Sequence, residues 1–269
     1  ESWEKEGIEE GYFTQKLNIE DTQRDTGWDL EALIKREKLN GMTEEKIQSE
    51  YYCDSNAPIE GSYYSDAIKE IEEQGKICDL PWDRNLAVHT AWDIGVNDNT
   101  AIWFYQQYGN EVWFIDFYQC NNKDITHYAK IVSDKDYIYG KHYGPHDLAV
   151  RDGWGGGMRT RQQRARDLGL NFTKLVKAGK EEGIEGARAL LYKCKFDKVK
   201  CEDGLDCLRA YHRKWDDMAG TYIDHDVHDW ASDAADAFRY AAQSIRKFRD
   251  PNTEGSRQRK VKQVYEYLR

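Results

Sequence analysis

The chain has 269 residues, of which 33% are charged, and its net charge is −10 at pH 7. This length favours one or two domains with a sizeable core. The negative charge argues against a protein that coats nucleic acid, but not against an enzyme that holds DNA through local basic patches and metal ions. No apolar run approaches the roughly 20 residues that cross a bilayer, and we expect no signal peptide.

The six cysteines are spaced irregularly. They do not resemble the disulfide framework of a small secreted domain. Cys194, Cys201 and Cys207 also lack the paired short spacing of a zinc site. We therefore expect reduced thiols in a cytosolic protein.

The first stretch of the chain, up to about residue 83, is acidic and has only scattered hydrophobic residues. Helical patterns are visible at about 29–39, 43–51 and 64–74, and the second begins with a capping box at Thr43. Nothing in this stretch predicts a core of its own.

The compact part begins near Ala87. Residues 88–95 read as a buried strand that ends in the sequence Asp93-Ile94-Gly95. Two further strands, at about 100–107 and 111–118, flank a tight turn that contains Gly109 and are predicted to form a hairpin. The large aromatic residues of these strands are expected to be core residues rather than platforms for bases: Trp103, Tyr105, Trp113 and Phe117.

The remaining elements alternate between helices and strands. Helices are predicted at about 124–133, 182–192, 204–215 and 229–246, and strands at about 137–143 and 171–176. The first of these strands ends before Gly144-Pro145-His146-Asp147. A Gly-rich loop at 152–157 leads into a further, Arg-rich helix. The last helix is rich in Ala and contains no Gly or Pro. Asp233 and Asp236 share one face near its amino end.

This order of elements predicts an α/β fold, a mixed sheet with one antiparallel hairpin. Asp93 and Asp147 follow strands, and residues at the carboxyl ends of strands line the ligand crevice of such sheets. If the two strands are neighbours, the last helix can bring Asp236 beside them. Three carboxylates without a basic partner would repel each other unless divalent cations bind. Each acid also has an ordinary alternative as a turn or helix cap, as do Asp229 and Ser232.

Oxygen ligands favour Mg²⁺ or Mn²⁺ over Zn²⁺. Two such ions about 3.5–4 Å apart form a known device for phosphodiester hydrolysis. The pattern of acids therefore points to a two-metal hydrolase.

Four motifs together carry a resemblance to a known family. They are Ala91-Trp92-Asp93-Ile94-Gly95, Gly144-Pro145-His146-Asp147, Gly183-Ile184 followed by Cys194-Lys195-Phe196-Asp197, and His228-Asp229-Trp230-Ala231-Ser232-Asp233-Ala234-Ala235-Asp236-Ala237-Phe238-Arg239-Tyr240. The chain resembles the nuclease domain of large terminase subunits from tailed bacteriophages and prophages, over about residues 50–243.

This resemblance implies a ribonuclease H-like fold and a metal-dependent endonuclease that cuts concatemeric viral DNA during genome packaging. Asp93, Asp147 and Asp236 match the catalytic, metal-binding acids. Asp233 lies where similar proteins often have His, so it is either a ligand, a neighbour of the ligands or a surface acid. The implied partners are double-stranded DNA, the terminase small subunit and the portal protein, in the host cytoplasm.

The resemblance also implies a division of the chain. Residues 1–82 would be a linker and the end of a preceding ATPase region, 83–249 the nuclease domain, and 250–269 a basic flexible tail. No Gly-x-x-x-x-Gly-Lys-Ser/Thr motif occurs in the chain. We therefore expect the chain to cut DNA but not to translocate it.

Local basic residues are the candidates for DNA contact: Arg159, Arg161, Arg164, Lys177 and Lys180. Their ordinary alternative is a solvated helix face. We expect contact with the phosphate backbone rather than readout of base sequence.

Three other functions fit part of the pattern. An ATP phosphotransferase of the actin and sugar-kinase kind also opens with a strand, Asp-x-Gly and a hairpin, but it predicts a duplicated second half. A Holliday-junction resolvase shares the acid trio but not the long amino-terminal stretch. A catalytically silent domain that docks on the portal or on DNA is the alternative that is not an enzyme.

Overall fold

The computed structural model describes residues 18–21, 29–39, 42, 44–52, 61–95, 99–145, 148, 160–216 and 218–248. The chain divides into two compact units, Glu1–Ser62 and Tyr63–Arg269. The first contains helices α1 (Leu30–Leu39) and α2 (Glu44–Tyr52), close to the predicted bounds. Asp29 caps α1, since its Oδ1 accepts a hydrogen bond from the Ala32 amide at 3.0 Å. The predicted cap residue Thr43 lies outside the described residues.

The second unit contains the sheet. Its strands are β1 (Ile77–Cys78), β2 (Val88–Ile94), β3 (Thr100–Tyr108), β4 (Glu111–Cys120), β5 (Tyr139–Gly144), β6 (Phe172–Lys174), β7 (Cys194–Asp197), β8 (Arg213–Asp216) and β9 (Thr221–Asp226). Its helices are α3 (Ser65–Glu73), α4 (Ile125–Asp134), α5 (Arg161–Asp167), α6 (Lys180–Leu191), α7 (Glu202–Ala210) and α8 (Ser232–Phe248). Since α3 belongs to this unit, the unit begins before residue 83, and the division by function predicted there stays a prediction.

Within the described part of this unit, seven strands form one sheet in the order β1-β7-β4-β3-β2-β5-β6, and β8 pairs with β9 separately. The predicted hairpin β3–β4 is present, with Gly109 at a positive φ of 59° in its turn. Strand β5 lies beside β2 and parallel to it, with Tyr143 opposite Ala91. The two strands that lead to Asp93 and Asp147 are therefore neighbours, which the sequence left open.

Helices cover both faces of the sheet. Helices α3, α6, α7 and α8 share one core with residues such as Ala91, Ala101 and Trp103. Helices α4 and α5 share the other core with residues such as Trp92 and Phe104. Successive residues of a strand point to opposite faces, which is why neighbours in β2 belong to different cores. The predicted mixed α/β sheet with an antiparallel hairpin is confirmed, and Trp103, Tyr105 and Phe117 are buried as expected.

The region after α6 differs from the prediction. Strand β7 was not predicted, because four residues are too few to show a strand period. The helix predicted to reach Trp215 ends at Ala210, since Tyr211 adopts an extended conformation with φ −64° and ψ 114°. The residues that follow form the hairpin β8–β9, whose turn contains Gly220 at φ +62°.

The cysteines have the expected character. The five in the described part of the chain are free thiols. Burial raises the pKa of Cys194, Cys201 and Cys207, so these buried thiols are neutral. None of the helices in the described ranges is long and apolar enough to span a bilayer.

Candidate active site

Asp93 lies at the carboxyl end of β2, near the middle of the sheet. It pairs across the antiparallel ladder with Ala101, which belongs to the core beneath α8. Paired residues share a face, and Ala91 two positions earlier belongs to the same core. The Asp93 side chain therefore projects from the α8 face of the sheet, and it is partly exposed.

Two hydrogen bonds fix the direction of α8 across the sheet. Trp103 Nε1 donates to the carbonyl oxygen of Ala234 at 2.9 Å, and the hydroxyls of Tyr105 and Ser244 lie 2.6 Å apart. Trp103 is opposite Ala91 and Tyr105 is opposite His89. Since β3 runs antiparallel to β2, α8 begins at the Asp93 end of β2 and runs towards the start of that strand.

The residues just before α8 form its cap. The Asp229 carboxylate accepts a hydrogen bond from the Ala231 amide at 2.9 Å, and the Asp229 carbonyl accepts one from the Ser232 hydroxyl at 2.8 Å. The same hydroxyl lies 2.9 Å from His228 Nδ1. The Asp229 carboxylate therefore accepts from an amide in the turn before α8, as the capping interpretation expects, whereas the Ser232 hydroxyl donates to a carbonyl and does not cap the helix.

Asp233 is in the first turn of α8 and is only 4% exposed. This burial excludes a surface acid, one of the three roles predicted for it. A carboxylate here also benefits from the helix dipole, by about 0.3–1 kcal/mol at exposed sites and more when buried. Its place at the carboxyl end of β2 makes it a candidate second acid beside Asp93.

Asp236, one turn later, is paired with Arg239. Nε of Arg239 donates to Asp236 Oδ1 at 3.1 Å, and Nη2 donates to the same oxygen. The expectation that the acids lack a basic partner is wrong for Asp236. The signal was present, because residues three apart on a helix lie side by side.

Asp236 and Arg239 line a cavity between α6, α8 and the segment that connects β6 to α6. The cavity has a volume of about 500 Å³. Its other lining residues include Lys177, Lys180 and Gly183, but neither Asp93 nor Asp233. The Asp236 side chain thus faces this cavity, whereas Asp93 lies under the amino end of α8.

Asp147 lies outside the described residues, three positions after the end of β5. Among the residues that the structure does describe, no group of three His, Cys, Asp or Glu side chains is close enough to hold a metal ion. The donor chemistry still fits a hard cation, since Asp93, Asp233 and Asp236 offer carboxylate oxygens.

Those of the predicted basic residues that the structure describes lie on different elements and do not form one patch. Arg164 is on α5, which packs on the face opposite α8, and its neighbour Ala165 is in that core. Lys177 is exposed and lines the Asp236 cavity. Helix α5 begins at Arg161 after a capping box formed by Thr160 and Gln163. Arg159 and the side chain of Arg161 lie outside the described residues.

Lys180 also lines the cavity, but its ammonium is bound to Asp226. Asp226 Oδ1 accepts from Lys180, and Oδ2 accepts from the Tyr211 hydroxyl at 3.0 Å. Burial alone would raise the pKa of Asp226, but these two hydrogen bonds outweigh it and lower the pKa. Lys180 therefore ties the end of β9 to the start of α6, a role that the sequence pattern does not reveal.

No protein-family model matches the chain, and no curated protein does. Solved structures do match. The large terminase of the thermophilic bacteriophage D6E, in its complex with ATP-gamma-S, is 15% identical with a TM-score of 0.50, over 87% of this chain and 56% of that chain. The structure of the same terminase in complex with ADP is 16% identical with a TM-score of 0.50, over 66% of this chain and 44% of that chain. The nuclease domain of the P22 large terminase is 19% identical with a TM-score of 0.47, over 64% of this chain and 89% of that chain.

The chain therefore spans less than two thirds of the D6E large terminase. At these identities the likeness concerns the fold alone. The chain has the ribonuclease H-like fold of phage large terminase nuclease domains.

Proposed function

We propose that this chain is a divalent-metal-dependent DNA endonuclease, the nuclease part of a terminase large subunit that cuts concatemeric viral DNA during packaging. The observation that carries this proposal is the position of Asp93. It follows a central strand, has the parallel strand β5 beside it, and faces the end of the sheet at which α8 begins. Residues 1–82 would then be the linker and the end of the ATPase region, and 250–269 a flexible basic tail.

Asp93, Asp147 and Asp236 would hold the cations, with Asp233 beside them. Two bound Mg²⁺ or Mn²⁺ ions would supply the Lewis acidity for phosphodiester hydrolysis. The chain itself would fix the carboxylates: Asp93 through the strand register, and Asp236 through a helix held to β3 by Trp103 and Ser244. In the proposed site, these negative charges would repel each other without bound cations.

For DNA, Lys177 is the best placed of the predicted contacts. It is exposed at the cavity that contains Asp236, so it can approach a phosphate next to the proposed site. Lys180 would contribute less, because Asp226 already binds its ammonium. Contacts of this kind recognise the backbone and carry no base sequence. Interaction with the small subunit and the portal belongs to the same proposal.

Cleavage of a supercoiled plasmid in Mn²⁺ tests the proposed activity. Wild type should nick and linearise the plasmid, and a chelator should abolish cleavage. Asp93→Asn, Asp147→Asn and Asp236→Asn should each lower the rate by more than about 100-fold, beyond the 10–100-fold that loss of a ligand's hydrogen-bond partner typically causes.

The chain offers a matched control for this experiment. Asp197 also ends a parallel strand of the same sheet, but its carboxylate accepts hydrogen bonds from the amides of Lys200 at 2.8 Å and Leu80 at 3.2 Å. Asp197→Asn should cleave like the wild type. Equal cleavage by wild type and Asp93→Asn would reject the nuclease and leave the docking domain as the better reading.

A further inference from the structure

Arg239 is a buried cation directly beside a proposed catalytic acid. Its side chain is 12% exposed, compared with 26% for Asp236. Two of its nitrogens, Nε and Nη2, donate to a single oxygen, Oδ1 of Asp236. Arginine presents its donors in a rigid planar fork, so this contact fixes the orientation of the carboxylate as well as balancing its charge.

The opposite side of the guanidinium faces α6. A Cβ atom added to Gly183 would lie 3.2 Å from Nη1 and 3.5 Å from Cδ of Arg239. Glycine at this position therefore leaves the space that the arginine occupies. Burial alone would lower the pKa of Arg239, but the nearby Asp236 and Tyr211 raise it, so the side chain stays charged.

We propose that Arg239 is a positioning residue that holds the Asp236 carboxylate by Oδ1 and so presents Oδ2 to a divalent cation. This inference rests on the proposed function, because it gives Asp236 the role of a ligand. Arg239 itself touches neither cation nor DNA in this proposal. Lysine could preserve the charge, but as a point charge it cannot hold the carboxylate in the same way.

A second pair of the same kind allows a controlled test. Arg209 Nη1 donates to Asp206 at 2.9 Å on α7, with the same spacing of three residues. The Arg209 side chain is 17% exposed, close to the value for Arg239, and it also contacts Glu72 at 3.3 Å. The pair lies within α7, the contact with Glu72 joins α7 to α3, and neither is part of the proposed site. Its loss should affect stability alone.

The test is calorimetric titration of the full chain with MnCl₂ in the absence of DNA, together with thermal unfolding of each variant. Arg239→Gln and Arg239→Lys should both weaken Mn²⁺ binding by about 10–100-fold. Gly183→Ala should weaken it less, because the added methyl group displaces the guanidinium without removing it. Arg209→Gln should lower the unfolding temperature and leave Mn²⁺ affinity unchanged.

Mn²⁺ affinity of Arg239→Lys equal to that of the wild type would overturn the inference. So would tighter binding by Arg239→Gln, which is the result expected if the guanidinium merely repelled the cation. If Arg239→Gln does not fold, the lysine and Gly183→Ala variants decide the question.

Asp236→Asn separates this inference from the proposed function. If it binds Mn²⁺ as tightly as the wild type, Asp236 is no ligand and both proposals fail at this residue. If it loses binding while Arg239→Lys retains it, only the role of Arg239 is rejected.

Discussion

Strand β2 presents different side chains to the two faces of the sheet. On β2, Ala91 and Asp93 face α8, whereas Thr90 and Trp92 face the core beneath α4 and α5. To the first face β2 contributes the small side chain of Ala91, and the strand ends there in an acid. The second is lined by aromatic rings and encloses a polar network.

On the face beneath α8, the helix lies close to the sheet. The residues of α8 that are completely buried are mainly alanines: Ala234, Ala235, Ala237 and Ala241. With so little side chain in the way, the helix main chain comes within hydrogen-bond distance of Trp103. A helix held this closely brings its first turn, with Asp233, to the carboxyl end of β2.

The opposite face keeps its titratable group neutral. Trp92 Nε1 donates to the Thr90 hydroxyl at 2.6 Å, and that hydroxyl lies 2.7 Å from His142 Nδ1. The Thr90 oxygen accepts from Trp92, and its own proton can be donated to an unprotonated His142 Nδ1. Burial lowers the pKa of His142 to about 4. Strand β2 therefore ends in the acid Asp93, whereas the buried His142 on the neighbouring strand β5 is neutral.

The largest expected effect comes from removing the anchor of α8. Trp103 is fully buried and contacts the rings of Phe114, Phe117, Phe196 and Phe238. Trp103→Ala should lower the free energy of unfolding by about 3–5 kcal/mol, measured by urea denaturation. Trp215→Ala, at a side chain that is 45% exposed, should lower it by at most about 1 kcal/mol. Similar losses for the two would mean that α8 is not anchored at Trp103.

A smaller effect should appear on the other face when pH is lowered. The pKa of His142 is about 4 in the folded protein and 6.5 unperturbed, so the unfolded state takes up a proton first. Stability from this group is fully present above pH 6.5 and is lost as the pH falls towards 4. The loss should be at most about 1.4 kcal/mol per pH unit.

His142→Gln should reduce this slope between about pH 6.5 and 5 in urea denaturation, without abolishing it. His89 keeps contributing, because burial lowers its pKa to about 4 as well. An unchanged slope in the variant would show that His142 is not held neutral by the fold.

Local sequence patterns account for much of this fold. The hairpin β3–β4 and helix α8 are predictable because their signals lie within consecutive residues. The sequence leaves open whether β2 and β5 are neighbours, since the hairpin and α4 separate them in the chain. The short strand β7 escapes prediction, since its partners β1 and β4 are far away in the chain.

The site is less accessible from sequence than the fold. The position of Asp93 at the end of a predicted strand is enough to make it a candidate site residue. The pairing of Asp236 with Arg239 follows from their spacing on α8, but the burial of Arg239 against Gly183 is a contact between two helices. The binding of Lys180 to Asp226 likewise joins residues from separate elements. No spacing rule reports contacts of this kind.

The central claim is that Asp93, Asp147 and Asp236 share bound divalent metal. The most direct test is a crystal structure of the chain soaked in MnCl₂, with anomalous scattering used to locate manganese. The account predicts Mn²⁺ in contact with carboxylate oxygens of Asp93, Asp147 and Asp236. Carboxylates held in separate places, with no manganese between them, would contradict it.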